Sequence, residues 1–149
     1  MLNNHLGTVK RMLQEASVDV NGKDDNGRTL LAMAMLDIEE PKCVEFAKFL
    51  IEKGADVNLG DVDKTAPLHI LAQTRFDSNR HRRNDKKEKQ NEKDFNKRLI
   101  DMIDLLLAKG ADVKAKTEAG MTPFEVALDC NNINVLQKFT SSVKLNESP

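Results

Sequence analysis

Three histidines, two cysteines and many carboxylates are the side chains of this sequence that could do chemistry, and their spacing decides which chemistry is open. His5, His69 and His81 stand a dozen or more residues apart. None has another His, or Cys43 or Cys130, at metal-ligand spacing, and none has a Cys or Ser placed to act as its nucleophile partner. No glycine-rich phosphate loop follows a strand pattern, and neither His-Glu-x-x-His nor Cys-x-x-Cys occurs. Paired carboxylates are plentiful, but they fall in turns and on polar helix faces, where nothing local perturbs them. The expectation is a non-enzyme with no catalytic, cofactor-binding or metal-ligating residue. Cys43 and Cys130 read as reduced thiols of an intracellular protein. Met33, Met35, Met102 and Met121 read as core filler or turn contacts.

The elements that carry these residues are those of one soluble domain. The 149 residues are 40% apolar and 32% charged, ordinary for a globular protein with a sizeable core. Apolar runs are too short to span a membrane, and the first residues lack the basic-then-apolar pattern of a secretory signal. A net charge of −1 argues against nucleic acid as a partner. The expected location is cytoplasmic, with nuclear entry left open.

Internal repetition organises the chain. Ser17-Val18-Asp19-Val20-Asn21 precedes Asn26-Gly27-Arg28-Thr29-Leu30-Leu31-Ala32. Gly54-Ala55-Asp56-Val57-Asn58 precedes Thr65-Ala66-Pro67-Leu68-His69, and Gly110-Ala111-Asp112-Val113-Lys114 precedes Met121-Thr122-Pro123-Phe124-Glu125. In each, the Asp before the valine lies thirteen residues ahead of Ala32, His69 or Glu125. Gly54 and Gly110 follow apolar-periodic stretches and suit the left-handed conformation that closes a helix. Asn26-Gly27 supplies a tight turn. Thr29 and Thr122 are placed to cap the next helix, and Pro123 loses no hydrogen bond at a first helical position. Arg98 to Lys109 and Val44 to Ile51 carry wide apolar stripes, which stacking on neighbours would bury.

The Gly-Ala-Asp-Val-Asn and Thr-Pro-Leu-His segments resemble the ankyrin repeat. The resemblance implies an all-α solenoid of about three complete helix-turn-helix repeats, a leading half repeat and β-turn hairpin tips. The units are 1–21 (half repeat), 22–58, 59–114, 115–142 and a tail 143–149, all within one domain. It implies further that His69 is a structural hydrogen-bonder between the turns of successive repeats. The implied function is binding of another protein, identity open, through the hairpin tips and the inner-helix face. Those positions are Lys23, Asp25, Asn26, Arg28, Leu36 and Asp37; then Val62, Asp63, Thr65 and Gln73; then Lys116, Glu118 and Met121. The alternative is an architectural or capping piece of a longer array with no ligand of its own; the chain is expected to be a monomer or part of a larger chain. Leu13 and Leu50, each upstream of an Asp-Val-Asn, resemble the context in which ankyrin asparagines are hydroxylated in animal cells, making Asn21 and Asn58 modification candidates.

Three departures mark the chain. Asp37 to Glu40 adds about four residues before Pro41, which suits a first helical position. Residues 75–97 form a basic insertion. Arg75 to Arg98 holds ten Lys or Arg against five Asp or Glu, a surplus of five positive charges that leaves the rest of the chain six negative given the overall −1. It reads either as a solvated loop whose second half lengthens the next helix through Lys86 to Lys97, or as a basic patch or import signal in Arg80 to Lys87. Finally, Ala66 takes the capping position, with Thr65 one place early. Past Thr140 the composition turns polar and fraying is expected.

Overall fold

Helices fall where the caps and glycines of the aligned segments put them. The structure, a computed structural model, describes residues 6–15, 18–76 and 85–146. Among these the helices are α1 (Leu6–Glu15), α2 (Leu30–Leu36), α3 (Pro41–Glu52), α4 (Pro67–Gln73), α5 (Asp85–Ala108), α6 (Pro123–Asp129) and α7 (Ile133–Asn146).

Thr29 is extended before α2, and its hydroxyl oxygen accepts the Ala32 amide at 3.2 Å. Thr122 accepts the Glu125 amide at 3.3 Å, while the Glu125 carboxylate accepts the Thr122 amide at 2.7 Å, so α6 opens with a reciprocal capping box. At α4 the cap is half missing. Ala66 has no oxygen to offer, and Thr65 gives its own amide to the Asp61 carboxylate rather than capping the helix. At the other end, Gly54 and Gly110 adopt φ of +91° and +90°. Each lets the next amide reach back, Ala55 to the Leu50 carbonyl at 3.0 Å and Ala111 to the Leu106 carbonyl at 2.9 Å.

The short helices α2, α4 and α6 stack in a row, α4 touching both neighbours. Outer helices lie against them, α3 on α2, α5 on α4 and α7 on α6, with α5 also on α7. Leu31, Met35, Leu68 and Leu71 fill the inner layer; Phe46, Leu50, Leu99, Met102, Ile103 and Leu106 meet them from the outer helices. Met35 and Met102 are core residues, as their type suggested, whereas Met33 and Met121 are half-buried.

Both insertions contribute apolar side chains to the core. The turn after α2 buries Ile38 to 1%. Of residues 75–97, those from Asp85 onward belong to the 24-residue α5, so the second half does lengthen the outer helix. Phe95 is 1% exposed, and its ring centroid lies 5.6 Å from that of Phe76. Both phenylalanines inside the inserted range therefore join the core. The reason is periodicity: Phe95, Leu99, Met102 and Leu106 share one stripe of a continuous helix. Of the basic run Arg80 to Lys87, residues 80–84 lie outside the described residues, as does His81, and so do Leu2 to His5 of the leading half repeat. At the far end α7 continues past Thr140 to Asn146. A 33-residue step from Gly110 reaches Val143, so no glycine stands where α3 and α5 were closed.

Candidate protein-binding face

Between each outer helix and the next inner helix the chain makes a tight hairpin, and its polar side chains explain the shape. The Asp24 carboxylate accepts the amides of Asn26 and Arg28, both at 2.9 Å, and Gly27 turns at φ +71°. Asp61 repeats this with the amides of Asp63 and Thr65 at 2.9 and 3.0 Å. The amide of Arg28, then its guanidinium 2.9 Å away, hold the Asp24 carboxyl below the usual carboxylate range.

Successive hairpins are bonded to each other. The Val62 amide donates to the Asn26 carbonyl at 3.2 Å, and the Glu118 amide to the Asp63 carbonyl at 2.8 Å. Lys23 Nζ donates to the Gly60 carbonyl, and Lys64 pairs with Glu118 at 3.0 Å. A Cβ at Gly27 would stand 2.9 Å from the Val62 nitrogen, so glycine is what lets the second tip approach the first. One step below the tips, Asn21 Oδ1 accepts the Asp56 amide at 2.7 Å; Asn58 Oδ1 accepts the Asp112 amide at 2.8 Å and its Nδ2 donates to the Gly110 carbonyl. The two modification candidates are thus rungs of the stack.

Of the expected binding positions, Lys23, Asp25, Asn26, Asp63, Gln73, Lys116 and Glu118 are exposed. Val62 is 67% and Leu36 48% exposed, unusual for residues of their type. Arg28, Asp37, Thr65 and Met121 are half-buried, and Arg28 is engaged by Asp24. The tips form one strip. Leu36 does not join it: it closes the seven-residue α2, about 10 Å along the helix axis from the end that follows the hairpin.

Two residues hold the second and third repeats in register. His69 is 1% exposed; its Nδ1 accepts the Ala66 amide at 3.2 Å, and its Nε2 donates toward the carbonyls of Ala115 and Met121 at 3.0 and 3.1 Å. That pattern fixes the tautomer, with the proton on Nε2. Asn132, which the sequence did not single out, is 5% exposed and donates from Nδ2 to the carbonyls of Ala72 and Thr74. Its local signal is the neighbouring Asn131, whose φ of +52° closes α6 as glycine closes α3. Cys43 and Cys130 are free thiols, and burial pushes the Cys43 thiol up.

This alternation of hairpin, short inner helix and outer helix has a match among known families. The ankyrin repeat model matches residues 26–62. An ankyrin repeat protein of Rickettsia felis is 30% identical over 122 residues, covering 81% of this chain. The chain is built of ankyrin repeats. A palmitoyltransferase of Schizosaccharomyces pombe, akr1, is 45% identical over 53 residues, 36% of this chain and 8% of its own length. The chain spans 45% of the Rickettsia relative, less than half the length of either curated relative. Ankyrin repeats in general are non-enzymatic scaffolds that bind proteins. Among the described residues no helix is long and apolar enough to cross a membrane.

Proposed function

We propose that this ankyrin-repeat chain binds a partner protein through its hairpin tips and the adjoining inner-helix face, with Val62 as the central apolar anchor. The observation that carries this is the bonding of each tip to the next, by the Asn26–Val62 and Asp63–Glu118 backbone pairs. A strip held in place before binding spends less interaction energy on ordering, and Val62 sits on it 67% exposed between charged neighbours. Concave surfaces made this way are how solenoids bind.

The test is affinity capture from extract of the source cells, with bound proteins identified by mass spectrometry. Val62→Lys with Asp63→Lys should remove the partners held by the native chain. Asp101→Lys with Glu45→Lys, on the exposed sides of α5 and α3, should retain them. Asp104 is left out of that control because its carboxylate pairs with Lys138. Loss with the outer-helix pair and retention with the tip pair would overturn the assignment.

A further inference from the structure

Asparagine precedes glycine twice in this chain, at Asn21-Gly22 and at Asn26-Gly27. Such a pair can cyclise, because no Cβ shields the glycine nitrogen as it attacks the side-chain carbonyl carbon of the asparagine. Both copies stand in the same local frame. The Asp19 carboxylate accepts the Asn21 amide and the Asp24 carboxylate accepts the Asn26 amide, each at 2.9 Å. The Gly22 amide donates to the Asp19 carbonyl at 3.0 Å, and the Gly27 amide to the Asp24 carbonyl at 2.9 Å. These turn bonds restrain the two attacking nitrogens alike.

The carboxamides are held differently. Asn21 is half-buried, and its Oδ1 accepts the Asp56 amide at 2.7 Å. Its side chain cannot turn toward Gly22 without breaking that rung. Asn26 is exposed at the hairpin tip, and its carboxamide makes no hydrogen bond among the described residues. No bond has to break before it turns toward Gly27. A bulkier residue cannot shield the site from position 27, where φ is +71° and a Cβ would stand 2.9 Å from the Val62 nitrogen. The close approach of the two tips demands the very glycine that leaves Asn26 open.

We propose that Asn26 is a site of spontaneous deamidation, and that Asn21 is protected by its rung. The Gly27 nitrogen gives its proton to solvent and bonds to Asn26 Cγ. The Cγ–Nδ2 bond breaks, Nδ2 takes up a proton and leaves as ammonia, and a cyclic imide remains. Water then opens the imide at one of its two carbonyls, and nothing is oxidised or reduced. Opening at Cγ gives aspartate; opening at the main-chain carbonyl gives isoaspartate, with the chain rerouted through Cγ. Either product adds a carboxylate to a tip that already carries Asp24 and Asp25. In isoaspartate the main-chain carbonyl that accepts the Val62 amide at 3.2 Å becomes a free carboxylate outside the chain, so the tip-to-tip bond is displaced. The modification proceeds whether or not a partner binds there.

The test is to age the purified, folded chain in mildly alkaline buffer and digest it briefly with trypsin. Lys23 lies between the two sites and Arg28 follows the second, so each asparagine falls in its own peptide. Mass spectrometry should show acid and imide forms accumulating at Asn26 about tenfold faster than at Asn21, the factor set by one hydrogen bond that must break first. In urea, with the rung gone, the two rates should converge. Hydrogen exchange at the Val62 amide should quicken by about fivefold in the isoaspartyl fraction. Asn26→Ser, which keeps the main-chain carbonyl, should abolish both changes. Equal rates in the folded chain, faster loss at Asn21, no conversion at Asn26, or a preference for Asn26 that persists in urea would overturn the proposal. Unchanged exchange at Val62 would overturn the effect on the tips.

Discussion

The seam between the first and second repeats and the seam between the second and third have the same backbone plan and different chemistry. Both have an asparagine rung and a tip-to-tip backbone bond: Asn21 with Asn26–Val62 in the first, Asn58 with Asp63–Glu118 in the second. Beyond that the first offers Ala32 where the second offers His69. The second adds the Asn132 clamp and a bond from Arg75 to the Cys130 carbonyl at 3.1 Å. Apolar contact stacks helices without fixing how far one slides on the next; hydrogen bonds to named carbonyls fix the register. The directional bonds gather at the seam whose two inner helices are separated by the long insertion, where the chain itself constrains register least.

Five substitutions test that contrast, broadly in falling order of expected effect. His69→Ala strands the Ala66 amide and the Ala115 and Met121 carbonyls in a buried seam, and should lower unfolding free energy by about 3 kcal/mol in urea titrations. A loss near that of an ordinary surface change would mean water replaces the imidazole and the two seams are equivalent. Asn132→Ala removes two bonds to buried or half-buried carbonyls and should cost about 2 kcal/mol by the same measurement. Asn58→Ala, which breaks two cross-hairpin bonds, should cost about 1 kcal/mol, and Asn21→Ala, which breaks one, about half as much. Equal losses would show that the Gly110 bond contributes nothing. Ala66→Thr should raise the unfolding midpoint, gaining about 0.5–1 kcal/mol, by giving the His69 amide the acceptor that Thr122 gives Glu125. No gain would mean that the Nδ1 bond from His69 already satisfies that helix end.

What the sequence made legible was local. Thr29 and Thr122 cap amides three residues away, and Gly54 and Gly110 close helices whose last turn is adjacent, so residue type alone points to the structure. Asn132 was not legible because its partners, Ala72 and Thr74, are about sixty residues distant and are backbone carbonyls, which carry no sequence signature. The insertion misled by composition: a mostly charged stretch does not announce that Phe95 falls on the same helical stripe as Leu99. His69 took its cross-repeat role only from the family resemblance. Of the binding strip, positions were readable from the repeat register, but the displacement of Leu36 from the tips was not, since it depends on how far along α2 it sits.

The burial of α4 on every side has a kinetic consequence. Pro67 to Ala72 are all buried, and α2, α5 and α6 all rest on this helix. At the opposite extreme α1 is held by Leu6, by half-buried Val9 and Leu13, and by Lys10 over the Phe49 ring. A chain so arranged opens from its edges, each unit able to leave without disturbing those beyond its neighbour. Amide hydrogens should therefore exchange in a spatial gradient, earliest in α1 and latest in α4, and the slowest of them, at Ile70 and Leu71, would report the opening of the whole molecule.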